Sequence, residues 1–353
     1  MREFINGATA LVRGALAAHC DFFAGYPISP ATQILLDMLR ELPKTGGFAI
    51  QGEDEISSIG MCIGAALAGR RAMTATSGPG MSLYSENIGF AIMAEVPLVI
   101  IDVQRLGPAT GGATTVGQGD VLFAQWGTSG GYPLIVLAPS SIVECMTLTV
   151  DAFALAQRFR CPVIVLADKE LALTSATVEM PEVYRSPLLE TPVVPVSPHY
   201  GTGSVVRTTG STHDEHGLIT KNPVKVDRAN RSLLSKIIDH RAELERLRMD
   251  LQPDADTLLI SFGISAGAMA LARRLACESG KRVSAVTVQS LWPIPERGLL
   301  AAAATARRIV VGELNPGLYV REIERVFRDR EVVSLTRLDG QLLSPEQFLE
   351  VCL

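Results

Sequence analysis

Short apolar runs alternate along this chain with stretches in which apolar residues recur every three or four positions, and that alternation predicts an α/β protein. Phe22-Phe23-Ala24 and Gly47-Phe48-Ala49-Ile50-Gln51 read as strands, as do residues 71–76, 97–103, 134–137 and 162–166. Residues 7–20, 34–42, 55–68, 81–94 and 140–158 read as helices; Ile34, Leu35, Met38, Leu39 and Leu42 show the spacing clearly. Strands this short and this uniformly apolar are buried on both faces, as in a parallel sheet covered by helices. A second set of strands occupies 257–263, 283–288 and 308–313, with an alanine- and arginine-rich helix after the first and another helix near 317–328. From 180 to 228 the periodicity gives way to Pro, Gly, Ser and Thr, which suits a linker or an excursion that crosses between domains or touches a partner. Residues 229–250 then predict a charged helix with Leu233, Leu234, Ile237 and Ile238 on one side. The expected organisation is a first domain over 1–180, a linker and charged helix over 181–254, and a second α/β domain over 255–353.

Composition changes this picture little. The 353 residues are 47% hydrophobic and 20% charged, enough apolar surface for two or three cores. A net charge of −5 gives no basic face for nucleic acid. No apolar run reaches membrane-spanning length, and the N-terminus interrupts its apolar residues with Arg13 rather than forming a signal peptide, so a cytoplasmic protein is expected. The six cysteines are scattered without a C-x-x-C pair, and the histidines show no H-E-x-x-H pattern. Neither spacing suits a metal or iron–sulfur site built from this chain alone. His213 and His216 lie in a polar stretch that reads as a solvated loop.

Candidate chemistry gathers in a few turns. In Gly25-Tyr26-Pro27-Ile28-Ser29-Pro30 the two prolines fix φ and bias Tyr26 and Ser29 to extended backbone. Ser29 before Pro30 is where a capped helix would begin. Glu53, Asp54 and Glu55 open the following small-residue helix, where first-turn carboxylates suit the helix dipole. Glu55, next to Ile56 and Ile59, stands at the rim of a buried surface and can share a proton with a basic ring nitrogen. Ser77-Gly78-Pro79-Gly80 is a helix-opening turn, but Pro79 removes a donor that a phosphate cradle would use, so tight packing or a non-phosphate ligand part fits better. Arg105 follows a buried strand and precedes a glycine-rich loop; a carboxylate anchor and an interdomain salt bridge are equally good readings. Gln118-Gly119-Asp120 suits an N-cap, and Trp126 and Trp292 read as packing aromatics.

Taken in order, Gly25–Pro30, Gln51-Gly52-Glu53-Asp54-Glu55, Thr74–Gly80, Asp102-Val103-Gln104-Arg105 and Gln118-Gly119-Asp120 resemble the alpha subunit of the 2-oxoacid:ferredoxin oxidoreductases over nearly the whole chain. The likeness leans to the 2-oxoglutarate type, with branched-chain, aryl and pyruvate-type oxoacids as alternatives and a non-catalytic assembly subunit as a competing reading. The resemblance implies a thiamine-diphosphate pyrimidine-binding domain followed by a transketolase C-terminal-like α/β domain. It implies oxidative decarboxylation of the oxoacid to an acyl-coenzyme A with electrons passed to ferredoxin, or the reverse carboxylation. It also implies a beta subunit that holds the diphosphate, its Mg2+ and a [4Fe-4S] cluster, in a dimer of alpha–beta heterodimers. Separate gamma and ferredoxin-like delta polypeptides, or a minimal alpha–beta enzyme, would complete it. By the family pattern Glu55 is the glutamate on the aminopyrimidine ring nitrogen, with Glu53 the second choice, and Arg105 receives the substrate carboxylate. Ser29 stands where many relatives have threonine. Tyr26, Pro27, Ile28, Ser77 and Gly78 complete the expected cofactor-facing set, and no metal ligand is expected in this chain.

Overall fold

The computed structural model describes residues 2–188, 191–194, 196 and 198–352. The first unit runs β1 (Arg2–Asn6), α1 (Gly7–Ala17), β2 (Phe22–Gly25), α2 (Thr32–Glu41), β3 (Phe48–Gln51), α3 (Glu55–Leu67), β4 (Ala72–Thr76), α4 (Pro79–Met93) and β5 (Leu98–Gln104). It continues through α5 (Val121–Trp126), β6 (Ile135–Leu137), α6 (Ile142–Phe159), β7 (Pro162–Asp168), α7 (Lys169–Leu173) and β8 (Ser175–Glu179). After the excursion come α8 (Pro223–Ile238), α9 (Arg241–Leu244) and β9 (Leu247–Asp250). The second unit contains β10 (Thr257–Ser261), α10 (Ser265–Glu278), β11 (Val283–Val288), β12 (Ser290–Trp292), α11 (Glu296–Ala302), β13 (Arg308–Glu313), α12 (Val320–Val326), β14 (Glu331–Thr336) and α13 (Pro345–Cys352).

The first sheet has the order β12-β6-β7-β5-β4-β2-β3, and every pairing from β6 to β3 is parallel. Its central strands β5 and β7 are buried along their whole length, which is why they read as continuous apolar runs rather than alternating ones. One core packs α1, α2 and α6 on one face, and a second packs α3 and α4 on the other. Helix starts follow local side-chain chemistry: Asn6 accepts from Thr9 N, Asp54 and Ser57 form a reciprocal capping box, and Ser141 accepts from Glu144 N. Ser29 is not such a cap. Helix α2 starts at Thr32 with Ala31 in the cap position and no side-chain bond, because the chain is still turning at Ser29-Pro30.

Three further features depart from the sequence expectation. The N-terminal residues form a strand, β1, that pairs antiparallel with β8. The single helix expected over 229–250 is two helices and a strand, and β9 joins the second sheet, β14-β13-β10-β11-β9, antiparallel to β11. The second unit also returns a strand to the first sheet, with β12 pairing antiparallel to β6. Trp292 at its end is buried and donates from Nε1 to Val121 O at 3.1 Å. Trp126 is half exposed, with its ring edge-on to Trp292 at 6.2 Å between centroids. No helix among the described residues is long and apolar enough to cross a membrane.

Candidate active site at the carboxyl edge of the first sheet

Parallel strands end on the same edge of their sheet, and ligands of open α/β sheets bind in the crevice beyond that edge. Here β3, β2, β4 and β5 are neighbours, so the segments that follow them lie side by side: Gly52–Glu55, Tyr26–Pro30, Ser77–Gly80 and Arg105. The pairing of Gly25 with Gln51 and the bond from Gly52 N to Gly25 O at 2.9 Å bring the first two together. Arg105 Nη1 donates to Ser29 O at 2.6 Å and ties the fourth to the second. The third sits between: a Cβ on Gly80 would stand 2.0 Å from Thr76 Oγ1 and 3.2 Å from Glu55 Oε1, so only glycine admits this approach of α4 to α3.

Glu55, at the first position of α3, is 7% exposed, and its carboxyl has no hydrogen bond or ion pair among the described residues. Glu53 is exposed, and Asp54 is committed to capping the helix. Around Glu55 and Arg105, buried polar atoms without a partner accumulate: Thr76 Oγ1, Ser77 Oγ, Asp102 Oδ2, Arg105 Nε and Asp120 Oδ2. Since buried polar groups are almost always paired, this concentration at one place marks a ligand position. Ser29 and Pro27 are exposed, Tyr26 and Ile28 half-buried, and only the Ser29 carbonyl is engaged.

Asp102 and Asp120 belong to this site although the sequence reading gave them no role of their own beyond motif and cap. Asp102 is fully buried on β5 and accepts from Gly78 N at 3.3 Å. Burial, with the Asp120 charge adding to it, pushes its carboxyl well above the usual range. Burial likewise pushes Asp120 up to about 6, against the pull of Arg105. Asp120 precedes α5, but its side chain does not cap that helix; its N–H donates instead to Gln104 Oε1 at 3.2 Å. The detectable signal was an acid inside the otherwise apolar run Leu98-Val99-Ile100-Ile101-Asp102-Val103. Arg105 makes no ion pair among the described residues, so the salt-bridge reading falls away.

The second unit forms the opposite wall. A cavity of about 730 Å3 lies between Gly78, Arg105 and Asp120 on one side and Leu314, Pro316, Leu318 and Leu338 on the other, with Phe123 between them. A buried network fixes this wall. Gln118 Nε2 donates to Phe262 O at 3.2 Å, its Oε1 accepts from Leu314 N at 3.0 Å, and Asn315 Nδ2 donates to Gln118 O at 2.8 Å. Asp168 Oδ2 accepts from Ile264 N at 2.5 Å. Gly263, at φ +55°, leaves room for it, since a Cβ there would lie 2.1 Å from that oxygen.

Burial in this seam pushes Asp168 up to about 7. A carboxyl whose folded value lies above its unfolded one stabilises the fold fully at low pH, and the contribution is lost as pH rises through about 7. The thermal midpoint should therefore fall between pH 5 and pH 8 by the equivalent of a few kcal/mol, because each tenfold difference in proton affinity between the folded and unfolded chain is worth about 1.4 kcal/mol. Asp168→Asn should flatten that fall, as measured by unfolding scans across the range; an unchanged slope would assign the pH dependence elsewhere.

Residues 13–231 match the family described as pyruvate flavodoxin/ferredoxin oxidoreductase, thiamine diphosphate-binding, and residues 255–348 match pyruvate:ferredoxin oxidoreductase core domain II. The chain belongs to the 2-oxoacid:ferredoxin oxidoreductase family. It is 39% identical to the 2-oxoglutarate synthase subunit KorA of Methanothermobacter marburgensis, covering 98% of this chain and 97% of the relative. It is 32% identical to the ketoisovalerate oxidoreductase subunit VorB of the same organism, covering 98% and 96%. The solved 2-oxoglutarate:ferredoxin oxidoreductase from Magnetococcus marinus, with 2-oxoglutarate, coenzyme A and succinyl-CoA bound, superposes with a TM-score of 0.91 at 30% identity. That match covers 99% of this chain and 64% of the solved one, so the oxidoreductase chain there is substantially longer.

Proposed function

We propose that this chain is the pyrimidine-binding subunit of a coenzyme A-acylating 2-oxoglutarate:ferredoxin oxidoreductase that converts 2-oxoglutarate to succinyl-CoA and CO2. The observation that carries this reading is the open carboxyl of Glu55 beside the Tyr26–Pro30 turn and the unpartnered hydroxyls of Thr76 and Ser77. An acceptor at a helix start with free hydroxyls nearby fits the polar edge of an aminopyrimidine. Glu55, Tyr26, Pro27, Ile28, Ser77 and Gly78 would hold that ring. Thiamine diphosphate, when bound, supplies the carbanion chemistry that adds to the oxoacid carbonyl. Glu55 holds a proton at the ring nitrogen, Arg105 receives the substrate carboxylate, and Ser29 borders it. The second unit's Leu314, Pro316 and Leu318 keep water from the opposite side.

The enzyme is completed by a beta subunit. Beside Glu55, β3 is the open edge of the first sheet, and Phe48, Ile50, Ile56 and Leu83 are exposed apolar residues on its strand and the adjoining helices. Such a face suits cover by another polypeptide. We assign the Mg2+ and the [4Fe-4S] cluster to that partner. Cys20, Cys62, Cys145 and Cys161 are each buried as single thiols, and Cys62 donates to backbone carbonyls of Ala24 and Met73. Electrons then pass to ferredoxin through the partner.

The test is reconstitution. The chain with its partner should reduce a viologen dye in a 2-oxoglutarate- and coenzyme A-dependent manner, and more efficiently than with pyruvate, 2-oxoisovalerate or an aryl oxoacid. Turnover by the isolated chain would overturn the two-subunit reading, and preference for another oxoacid would overturn the substrate assignment.

A further inference from the structure

We infer that Asp120, backed by Asp102, is a proton-carrying receptor for the oxoacid's carboxylate, so that the substrate anion binds together with a proton. The inference rests on the 2-oxoacid reading above and adds to it the residue that makes substrate binding depend on pH.

Two buried acids meet the same glycine. Gly78 N donates to Asp102 Oδ1, and the point where a Cβ of Gly78 would stand is 3.8 Å from Asp120 Oδ2 and 3.9 Å from Arg105 Cγ. Gly78, Arg105 and Asp120 all face the 730 Å3 cavity. Neither acid has an ion-pair partner among the described residues, and each keeps one oxygen without any hydrogen bond. Arg105 is the nearest cation, yet its Nη1 is spent on Ser29 O and its Nε is unpartnered. Two carboxyls that feel each other's charge in a desolvated place, with a single guanidinium nearby that is partly engaged by the Ser29 carbonyl, do not both ionise. The pair retains a proton, and the fully buried Asp102 keeps it, leaving Asp120 as the acid that titrates.

The protonation state decides what the cavity accepts. An ionised Asp120 repels an oxoacid anion that Arg105 attracts, whereas a protonated Asp120 donates an O–H···O bond to the same carboxylate beside the guanidinium. Binding then takes up one proton: the free carboxylate of Asp120, a proton from solvent and the oxoacid anion give a carboxylic acid hydrogen-bonded to the bound anion. The other groups facing this point are few. On β5 they are Asp102 and Gln104, just after it Arg105, and across Gly80 there is Glu55. The start of α4 brings Ser77 and Ser82, the Tyr26–Pro30 turn brings the Ser29 carbonyl, and Tyr84 lies beneath with its hydroxyl on Thr74. Among the described residues, the loop from Leu106 to Gly119 and the second unit present only glycine, proline, alanine and leucine to the cavity. With Asp120 near 6 before substrate arrives, the proton must be recruited at neutral pH, and affinity falls as pH rises.

The experiment uses the assembled alpha–beta enzyme. The KM for 2-oxoglutarate is measured from pH 6 to 8.5 in the wild type, Asp120→Asn and Asp120→Ala. The wild-type KM should climb above pH 6 with a slope approaching tenfold for each step of one in pH. Asp120→Asn, a permanently neutral donor, should flatten the slope, and Asp120→Ala should give a KM at least about tenfold higher at pH 6, also without slope. The same slope in Asp120→Asn as in the wild type would overturn the inference. Independently of any variant, calorimetry of N-oxalylglycine binding to the wild-type enzyme at pH 7.5, in two buffers of different ionisation enthalpy, should show uptake of close to one proton; none overturns the inference. A wild type that turns over 2-oxoglutarate without proton uptake sinks this inference alone, while one that accepts no 2-oxoacid sinks the functional reading with it.

Discussion

Glu55→Gln is expected to lower turnover of the assembled enzyme by about a hundredfold to ten-thousandfold, the usual loss when a general acid–base group is removed, while the partner still copurifies in equal amount. The substitution keeps shape and hydrogen-bonding capacity but fixes the group as neutral, so it separates proton handling from packing. Packing is not at stake in the present arrangement. The capping of α3 belongs to Asp54 and Ser57, and the Glu55 carboxyl bonds to none of the described residues. Anaerobic viologen reduction with saturating 2-oxoglutarate and coenzyme A gives the measurement. Near-normal rates would show that Glu55 is only a favourable charge at a helix start.

Arg105→Lys should raise the KM for 2-oxoglutarate by about ten- to a hundredfold, the worth of a charge-assisted hydrogen bond, and change kcat much less. A guanidinium can hold the Ser29 carbonyl with one nitrogen and keep others for a carboxylate; an ammonium on a flexible stem cannot do both in fixed geometry. An unchanged KM would make Arg105 a structural tie between β5 and the Tyr26–Pro30 turn.

Much of this was readable from the chain. Apolar runs such as Pro162–Leu166 announced a doubly covered parallel sheet because both their faces are buried in one and the same way. The turns after β2, β3, β4 and β5 could be lined up in advance, since parallel strands must all end on one edge. What stayed hidden depended on contacts between distant segments. Nothing local in Ser290-Leu291-Trp292 says that it will leave its own unit and pair with Val136 and Leu137. Leu247–Asp250 follows a helix without a turn signal strong enough to break the expected one, and its pairing with β11 decides its conformation. Ser29 misled because Ser-Pro is a frequent helix start, and here the turn runs on for two more residues. Asp120 looked like a cap because its position is right; its side chain turns instead toward a second acid and an arginine that only the fold brings near.

The strand that the second unit lends to the first sheet also bears on where the molecule can be divided. Residues 180–222 look like the place to cut it, yet β12 on β6, Trp292 on Val121 and the Gln118 network hold the pieces across that gap. A chain nicked there by a protease, or encoded as two polypeptides split there, would remain one body with the crevice between its two units intact.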